Sequence, residues 1–224
     1  MKPFRFALLF AALAGPATAQ TPPSPSEVAA YSGLHAAKGD TAEIARLLKS
    51  GATVDARDNF ARTPLHVAIY RSHGPAALAL IKGGADPNAL EAQKYDIVTI
   101  ASVANNLPML KLALANGGKA TNITSPYVGT ALIAAAHLGH DEVVRTLIAA
   151  KAPLDHVNNL GWTALIESIV LGDGGKRHTA SLQALVKAGA NVSLADRSGR
   201  TPLALAKGRG YTEMVKILEA AGGK

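Results

Sequence analysis

Short blocks of small and apolar residues return along this chain, each opened by a polar residue. The first block, 63–68, reads Thr-Pro-Leu-His-Val-Ala, and similar blocks begin 33, 67, 100 and 138 residues further on. Each block has a large aliphatic residue two places after its polar start, which is typical of a helix with one buried side. We predict that these residues point into a common core: Leu65, Val98, Leu132, Leu165 and Leu203.

The residues around each block predict where helices begin and end. A side chain that can cap a helix opens every block, and a proline follows the cap in two of them. About sixteen residues after most blocks stands a second marker, a pair that contains glycine in four of the five repeats and predicts the left-handed stop of a second helix. The caps are Thr63, Asp96, Thr130, Thr163 and Thr201, and the pairs are 84–85, 117–118, 151–152, 189–190 and 222–223.

This period and this motif resemble the ankyrin repeat. The resemblance implies an all-α fold, a solenoid of stacked helix-turn-helix units in which a β-turn finger joins each repeat to the next. His66 completes the Thr-Pro-Leu-His motif and is similar to the family's structural histidine, which ties a helix to a loop. We therefore expect an ankyrin-repeat domain over residues 28–224, with a capping unit at 28–57 and repeats at about 58–90, 91–124, 125–157, 158–195 and 196–224.

The first residues differ from the repeats. Lys2 and Arg5 precede an apolar run too short to span a membrane, and Ala17-Thr18-Ala19 has the pattern of a cleavage site. We expect a signal peptide at 1–19 and a Pro/Ser-rich linker at 20–27. The predicted location is the periplasm of a Gram-negative bacterium or the external medium. No transmembrane segment is expected after cleavage.

Charge narrows the choice of partners. Without Lys2 and Arg5 the chain has 21 basic and 16 acidic residues, and most of the excess lies after residue 157. Basic proteins often bind nucleic acid, but an exported protein rarely meets it. Acidic proteins and anionic envelope polymers are therefore the favoured partners. The chain has no cysteine, so its stability must come from repeat stacking without disulfides.

Two repeats depart from the motif. The second lacks its proline and histidine, and the fourth carries about five extra residues within 171–178, which we expect between its two helices. The glycines and Lys176 of this insertion do not match the spacing of a phosphate-binding loop. The insertion and the segment 158–163 are similar to a subgroup of exported bacterial ankyrin proteins, a likeness that implies no defined activity.

Residues that could carry chemistry are sparse. His137 and His140 could share a helix face, but no third zinc ligand is evident. We find no nucleophile motif and no separate pair of carboxylates, so we predict neither an enzyme nor a cofactor. An enzyme that used the 171–178 insertion is a weaker alternative, suggested only by the crowding of glycine, lysine and histidine there.

The aromatic residues indicate a binding surface. When the cap is counted as position six, ankyrin proteins contact partners mainly through positions two, three, five, thirteen and fourteen. Five of the seven aromatic residues after the signal peptide stand at such positions, and aromatic side chains dominate interface hot spots. Alternatively, some rings pack on neighbouring fingers. The predicted contact residues are Phe60, Tyr70, Tyr95, Tyr127, His137, Leu160, Trp162, Arg197, Arg200 and Arg209.

These observations predict a monomeric, non-enzymatic module that binds another protein through its concave face. The alternative is an anionic envelope component bound by the basic C-terminal repeats. Salt would discriminate the two, because purely ionic binding is lost at modest ionic strength.

Overall fold

The computed structural model of the protein describes residues 36–224. The predicted signal peptide, the linker and the start of the capping unit lie outside the described residues. The described part is helical and contains no strand, which confirms the expected all-α class. After a helical turn at 36–38, its helices are α1 (Thr41–Lys49), α2 (Pro64–Tyr70), α3 (Gly74–Lys82), α4 (Ile97–Val103), α5 (Leu107–Ala115), α6 (Ala131–His137), α7 (Asp141–Ala149), α8 (Ala164–Val170), α9 (Lys176–Lys187), α10 (Pro202–Gly208) and α11 (Thr212–Ala220).

The helices stack in pairs. The first helices of successive repeats pack side by side in the order α2, α4, α6, α8 and α10, and each contacts the second helix of its own repeat. Second helices pack against their neighbours in the same direction, as α7, α9 and α11 do. One continuous apolar cluster runs through the stack, so the core belongs to the interfaces between repeats. This arrangement is the predicted solenoid.

Each first helix starts at the predicted cap. The cap side chain accepts a hydrogen bond from the backbone N–H three residues on, at 2.8 Å for Asp96 and 3.2–3.4 Å for the threonines. This bond satisfies one of the free N–H groups at the helix start. The aliphatic residue that follows is at most 6% exposed in every repeat, as the pattern of blocks predicted.

The chain turns at positions where the backbone is left-handed. Each repeat has one two residues before its cap, one between its helices and one after its second helix, and the third repeat has a further one at Ser125. The set after the second helix consists of glycines except for Lys151, because glycine adopts positive φ without steric cost. The finger set is more varied, with Ala61, Lys94, Val128, Gly161 and Gly199.

The second repeat keeps the geometry without the motif. Asp96 takes the place of the capping threonine, and its second carboxylate oxygen accepts a hydrogen bond from Asn122 at 2.8 Å. Thr99 stands where the first repeat has its histidine, and its hydroxyl donates to Thr124 at 3.0 Å. Polar contacts between the first helix and the end of the repeat thus persist after the residue types have changed.

The buried ring of His66 ties its helix to the next finger. Its Nδ1 accepts the Thr63 N–H at 3.1 Å, so Nε2 carries the proton of the neutral ring. That Nε2 lies 3.0 Å from the carbonyl oxygen of Ala89 and 3.2 Å from that of Tyr95, to which it donates. Burial lowers the pKa of His66 from 6.5 to about 4, because charging the ring here costs solvation. The ring therefore has the structural role that the resemblance implied.

We expect the free energy of unfolding to fall as the pH decreases from about 6.5 to about 4. In this window the unfolded chain protonates His66 while the folded chain does not, so stability increases with pH and is complete above the unfolded pKa. His66 alone would contribute about 3 kcal/mol. Urea unfolding across this pH range measures the slope. His66→Gln should flatten it. A wild-type slope in His66→Gln would contradict this role. A part of the pH dependence should remain in the variant, because burial also lowers the pKa of His140.

Candidate functional site

The fingers and the ends of the first helices carry all the predicted contact residues. We call this set the finger face: residues 59–62, 70–71, 92–95, 103–104, 126–129, 137–138, 159–162, 170–171, 197–200 and 208–209. Adjacent fingers are joined by backbone hydrogen bonds, from the N–H of Ala92 to Phe60 and from that of Asn159 to Tyr127, both 2.9 Å. In the third finger Pro126 has no N–H, and Ser125 donates to Lys94 instead.

The first repeat presents exposed rings with arginines beside them. Phe60 is 48% exposed and Tyr70 40% exposed. The guanidinium of Arg62 lies 4.9 Å from the Phe60 ring centre, and that of Arg71 lies 5.8 Å from the centre of Tyr70. Such cation–π contacts orient both partners. This end therefore offers apolar area and positive charge together.

Tyr95 differs from the expectation of an exposed ring. It is only 8% exposed, and its N–H donates to the buried Glu91 carboxylate at 3.0 Å. Burial, followed by the nearby Glu91 and Tyr127, raises the pKa of Tyr95. This ring packs locally, the alternative left open by the sequence, and it offers little area to a partner.

A buried polar cluster lies under the centre of the finger face. The Glu167 carboxylate is 3.1 Å from Nδ1 of His137 in the preceding repeat, and it accepts a 2.8 Å hydrogen bond from Asn158. Glu167 is 2% exposed and Asn158 is 4% exposed. The side chain of Asn158 also accepts the N–H groups of Leu160 and Trp162, both at 3.0 Å. The cluster therefore fixes the fourth finger and the His137 ring relative to each other.

Sequence reasoning missed Glu167, although its position carries a signal. The residue four places after the cap is apolar in the other repeats: Val67, Ile100, Ala134 and Leu205. A carboxylate there must be hydrogen-bonded when it is buried. His137 and Asn158 supply its partners, so the exception in the repeat pattern marks the cluster.

Three arginines form the C-terminal end of the finger face. Arg200 makes two hydrogen bonds to Asp196, at 2.7 and 2.9 Å. The stem of Arg197 packs over Gly161 of the preceding finger, where a β-carbon would clash with it. Arg209 lies 6.0 Å from the ring centre of Tyr211. All three arginines are exposed, so they supply charge at this end.

The extra residues of the fourth repeat are divided between the expected connection and the start of the second helix, so only part of the insertion is a loop. The connection 171–175 has five residues where the other repeats have three, and α9 has twelve residues where the other second helices have nine. Nε2 of His178 donates to the His137 carbonyl, 2.9 Å away, while Nδ1 contacts Asp173. On the other side the Tyr211 hydroxyl donates to the Gly172 carbonyl at 2.9 Å. The insertion is thus anchored to both neighbouring repeats.

The other candidate groups serve structure in the described residues. Nδ1 of His140 is 3.0 Å from the Ser102 carbonyl, so His140 does not share a ligand set with His137. No group of three or more metal-binding side chains occurs between residues 36 and 224. Within the same range, no helix combines the length and apolar character needed to cross a membrane.

Stacked helix pairs with hydrogen-bonded fingers define a helical repeat protein, and sequence comparisons identify the family. Models described as ankyrin repeats match residues 28–81 and 98–196. The Escherichia coli (strain K12) ankyrin repeat protein YahD is 32% identical over 190 residues, which are 84% of this chain and 94% of that protein. The chain belongs to the ankyrin-repeat family.

Solved structures agree with this assignment. An ankyrin repeat domain from Acinetobacter baumannii is 44% identical, with a TM-score of 0.81 over 86% of this chain and 97% of that one. The ankyrin repeat domain of Bcl-3, described as a member of the IkappaB family, is 26% identical, with a TM-score of 0.76 over 86% of each chain.

Val128 occupies a strained position at the centre of the finger face. Its φ is +56° at the finger position where the fourth and fifth repeats have glycine, and its side chain is 44% exposed. A β-branched side chain in this region clashes with the backbone, at a cost of about 1–2 kcal/mol. Glycine would adopt this backbone without the clash, so the valine lowers the stability of the fold at this position.

We expect Val128→Gly to raise the free energy of unfolding by about 1 kcal/mol, because relief of the clash outweighs the added freedom of the unfolded chain. Val103→Gly is the matched control. Val103 ends α4 with helical backbone, so glycine there should cost about 1 kcal/mol. Urea unfolding of both variants measures the two changes. Destabilisation of Val128→Gly would show that the valine stabilises the fold despite its backbone.

Proposed function

We propose that this protein is a non-enzymatic module that binds another protein through its finger face. Ankyrin repeats are generally protein–protein interaction modules, which supports the class of function. The observation that carries the proposal is the row of aromatic side chains on one face. Phe60 and Tyr70 are exposed, and Tyr127 and Trp162 are half-buried. Large rings on hydrogen-bonded fingers lose little freedom when a partner covers them, which favours binding.

The polar groups of the described residues support a binding role over catalysis. His66 and His140 are held by backbone carbonyls, and Glu167 is held by Asn158 and His137. These contacts join repeats to one another. The finger face carries no carboxylate, and its side chains are apolar, aromatic, basic or uncharged polar, which suits recognition.

The alternative partner is an anionic envelope component bound at the C-terminal end. Arg197 and Arg209 are exposed, and neither forms an ion pair within the described residues. Binding by this end alone would depend on charge and would vanish at moderate salt. Binding through the rings would persist there.

Two substitutions test the aromatic surface. Tyr127→Ala combined with Trp162→Leu should weaken partner capture from a cell-envelope extract by about thirtyfold or more, because buried interface rings often contribute 2 kcal/mol or more. Leucine is chosen because Trp162 packs partly on the core, and the melting temperature should stay near that of the wild type. The matched control is Ile123→Ala with Val157→Ala, two exposed apolar residues outside the finger face. Capture lost in the control but kept in the aromatic variant would place the binding surface elsewhere.

We also propose export to the periplasm, on the strength of the basic, apolar and small-residue segments before residue 20. Mature protein recovered from the native host should then have the intact mass of the chain without residues 1–19. An uncleaved N-terminus on the native protein would overturn this proposal.

A further inference from the structure

The excess positive charge of the described residues is concentrated on the finger face. Residues 36–224 contain 21 lysines and arginines and 15 aspartates and glutamates. Six of these cations stand on the finger face and none of the carboxylates does, so the rest of this region is balanced at 15 of each sign. The six are Arg62, Arg71, Lys94, Arg197, Arg200 and Arg209.

Nearby carboxylates compensate only part of this charge. Asp58 pairs with Arg62 and Asp196 pairs with Arg200, both at the base of their fingers. Glu91 and Glu167 lie beneath the face, 8% and 2% exposed, where a partner cannot reach them. Four cations remain without a carboxylate in the described residues: Arg71, Lys94, Arg197 and Arg209.

The cations lie at both ends, and the centre is uncharged. Arg71 and Lys94 belong to the first two repeats, while Arg197 and Arg209 belong to the fifth. The finger-face residues of the third and fourth repeats include no lysine, arginine or carboxylate. They include instead Tyr127, the strained Val128 and half-buried Leu160, Trp162 and Leu171. A strained backbone that keeps an apolar side chain exposed is a feature of functional surfaces.

We propose that the partner presents a polypeptide segment with an apolar or aromatic centre and acidic residues at both ends. The proposal rests on the finger face being the binding surface. Neighbouring helix layers are roughly 8–10 Å apart, so the first and fifth repeats are separated by roughly 32–40 Å. An extended segment of about ten to twelve residues spans that distance. Its end carboxylates would face Arg71 and Lys94 on one side and Arg197 and Arg209 on the other.

A uniform polyanion fits this surface less well. Its central charges would lie against Val128, Leu160 and Trp162, where they would lose hydration without gaining a cation. An apolar centre buries the same side chains favourably, at about 25 cal/mol per Å². The order of basic, apolar and basic regions therefore favours a peptide over a polymer of repeating charge.

Selection from a random library of displayed 12-residue peptides tests this proposal without a known partner. Trp162 is the only tryptophan of the chain, so its fluorescence reports whether a selected peptide lies on the finger face. We expect the enriched peptides to have aspartate or glutamate at both ends of an aromatic or aliphatic centre. Synthetic copies of these peptides should change the fluorescence emission of Trp162 on titration. Val128→Gly should lower the affinity for the peptides while the protein stays folded.

Charge reversal tests the ends of the segment. Arg71→Glu with Arg197→Glu should lower the affinity for the selected peptides by about tenfold, because close like charges oppose binding. The matched control, Lys82→Glu with Lys111→Glu, reverses two exposed lysines on second helices and should leave affinity unchanged. Circular dichroism and melting confirm that each variant is folded.

The outcomes separate this inference from the proposed function. The inference is overturned if the peptides that change Trp162 emission lack acidic ends. It is also overturned if charge reversal at Arg71 and Arg197 does not change their affinity. In both cases the proposed protein-binding function still stands. Acidic peptides unaffected by Tyr127→Ala and Val128→Gly also overturn it, because their binding is purely ionic. If no selected peptide perturbs Trp162 and heparin does so through the same arginines, the inference and the proposed function both fail in favour of a polyanion.

Discussion

The structure depends on contact between neighbouring repeats, because the helices between residues 36 and 224 are too short to be stable alone. The helices with defined bounds have seven, nine or twelve residues, and isolated helices of this length are marginal in water. Each helix pair therefore has to bury its apolar surface against the next repeat, and the apolar cluster accordingly runs through the whole stack. Ala68, Ala101 and Ala135 show one consequence, since small buried residues let the first helices approach closely. The spacing of 33 or 34 residues between the first four blocks is the sequence expression of this constraint.

The sequence predicted the features that recur in every repeat. It predicted less well the features in which one repeat departs from the others. Caps such as Thr130 and buried residues such as Leu132 recur in fixed register, so their positions follow from the period. Tyr95 shares a finger position with Trp162, but it is the more buried ring, packed with Glu91 and Tyr127. Exposure depends on the side chains of adjacent repeats, which the period does not specify. The insertion also differs, because three of its residues extend the start of α9 and hydrogen-bond to the preceding repeat. Gly172 in the connection accepts a hydrogen bond from the following repeat.

The fingers separate residues that hold the turn from residues that are free to vary. The residue before each finger loop hydrogen-bonds to the loop, as Asp58, Asn158 and Asp196 do, and position four must adopt a left-handed backbone. Positions two, three and five are not bound by these requirements and can carry rings or charge. Val128 is the exception, since it places an exposed apolar side chain where the backbone favours glycine. The backbone favours glycine at this one residue, whereas the proposed binding surface favours an apolar side chain.

In the fourth repeat the residue that holds the finger backbone also takes part in contacts to other repeats. Asn158 holds the backbone of its finger and also binds Glu167, which in turn contacts His137 one repeat away. The carbonyl of His137 accepts the hydrogen bond from His178, so the insertion belongs to the same chain of contacts. A partner that covers His137 or Trp162 therefore rests on a part of the stack where finger, helix and insertion are connected by polar contacts. A buried polar group that loses its hydrogen-bond geometry is costly in free energy. This region therefore holds its side chains in place more firmly than apolar packing alone would. The central side chains of the proposed binding surface are thus placed where finger, helix and insertion are joined by polar contacts.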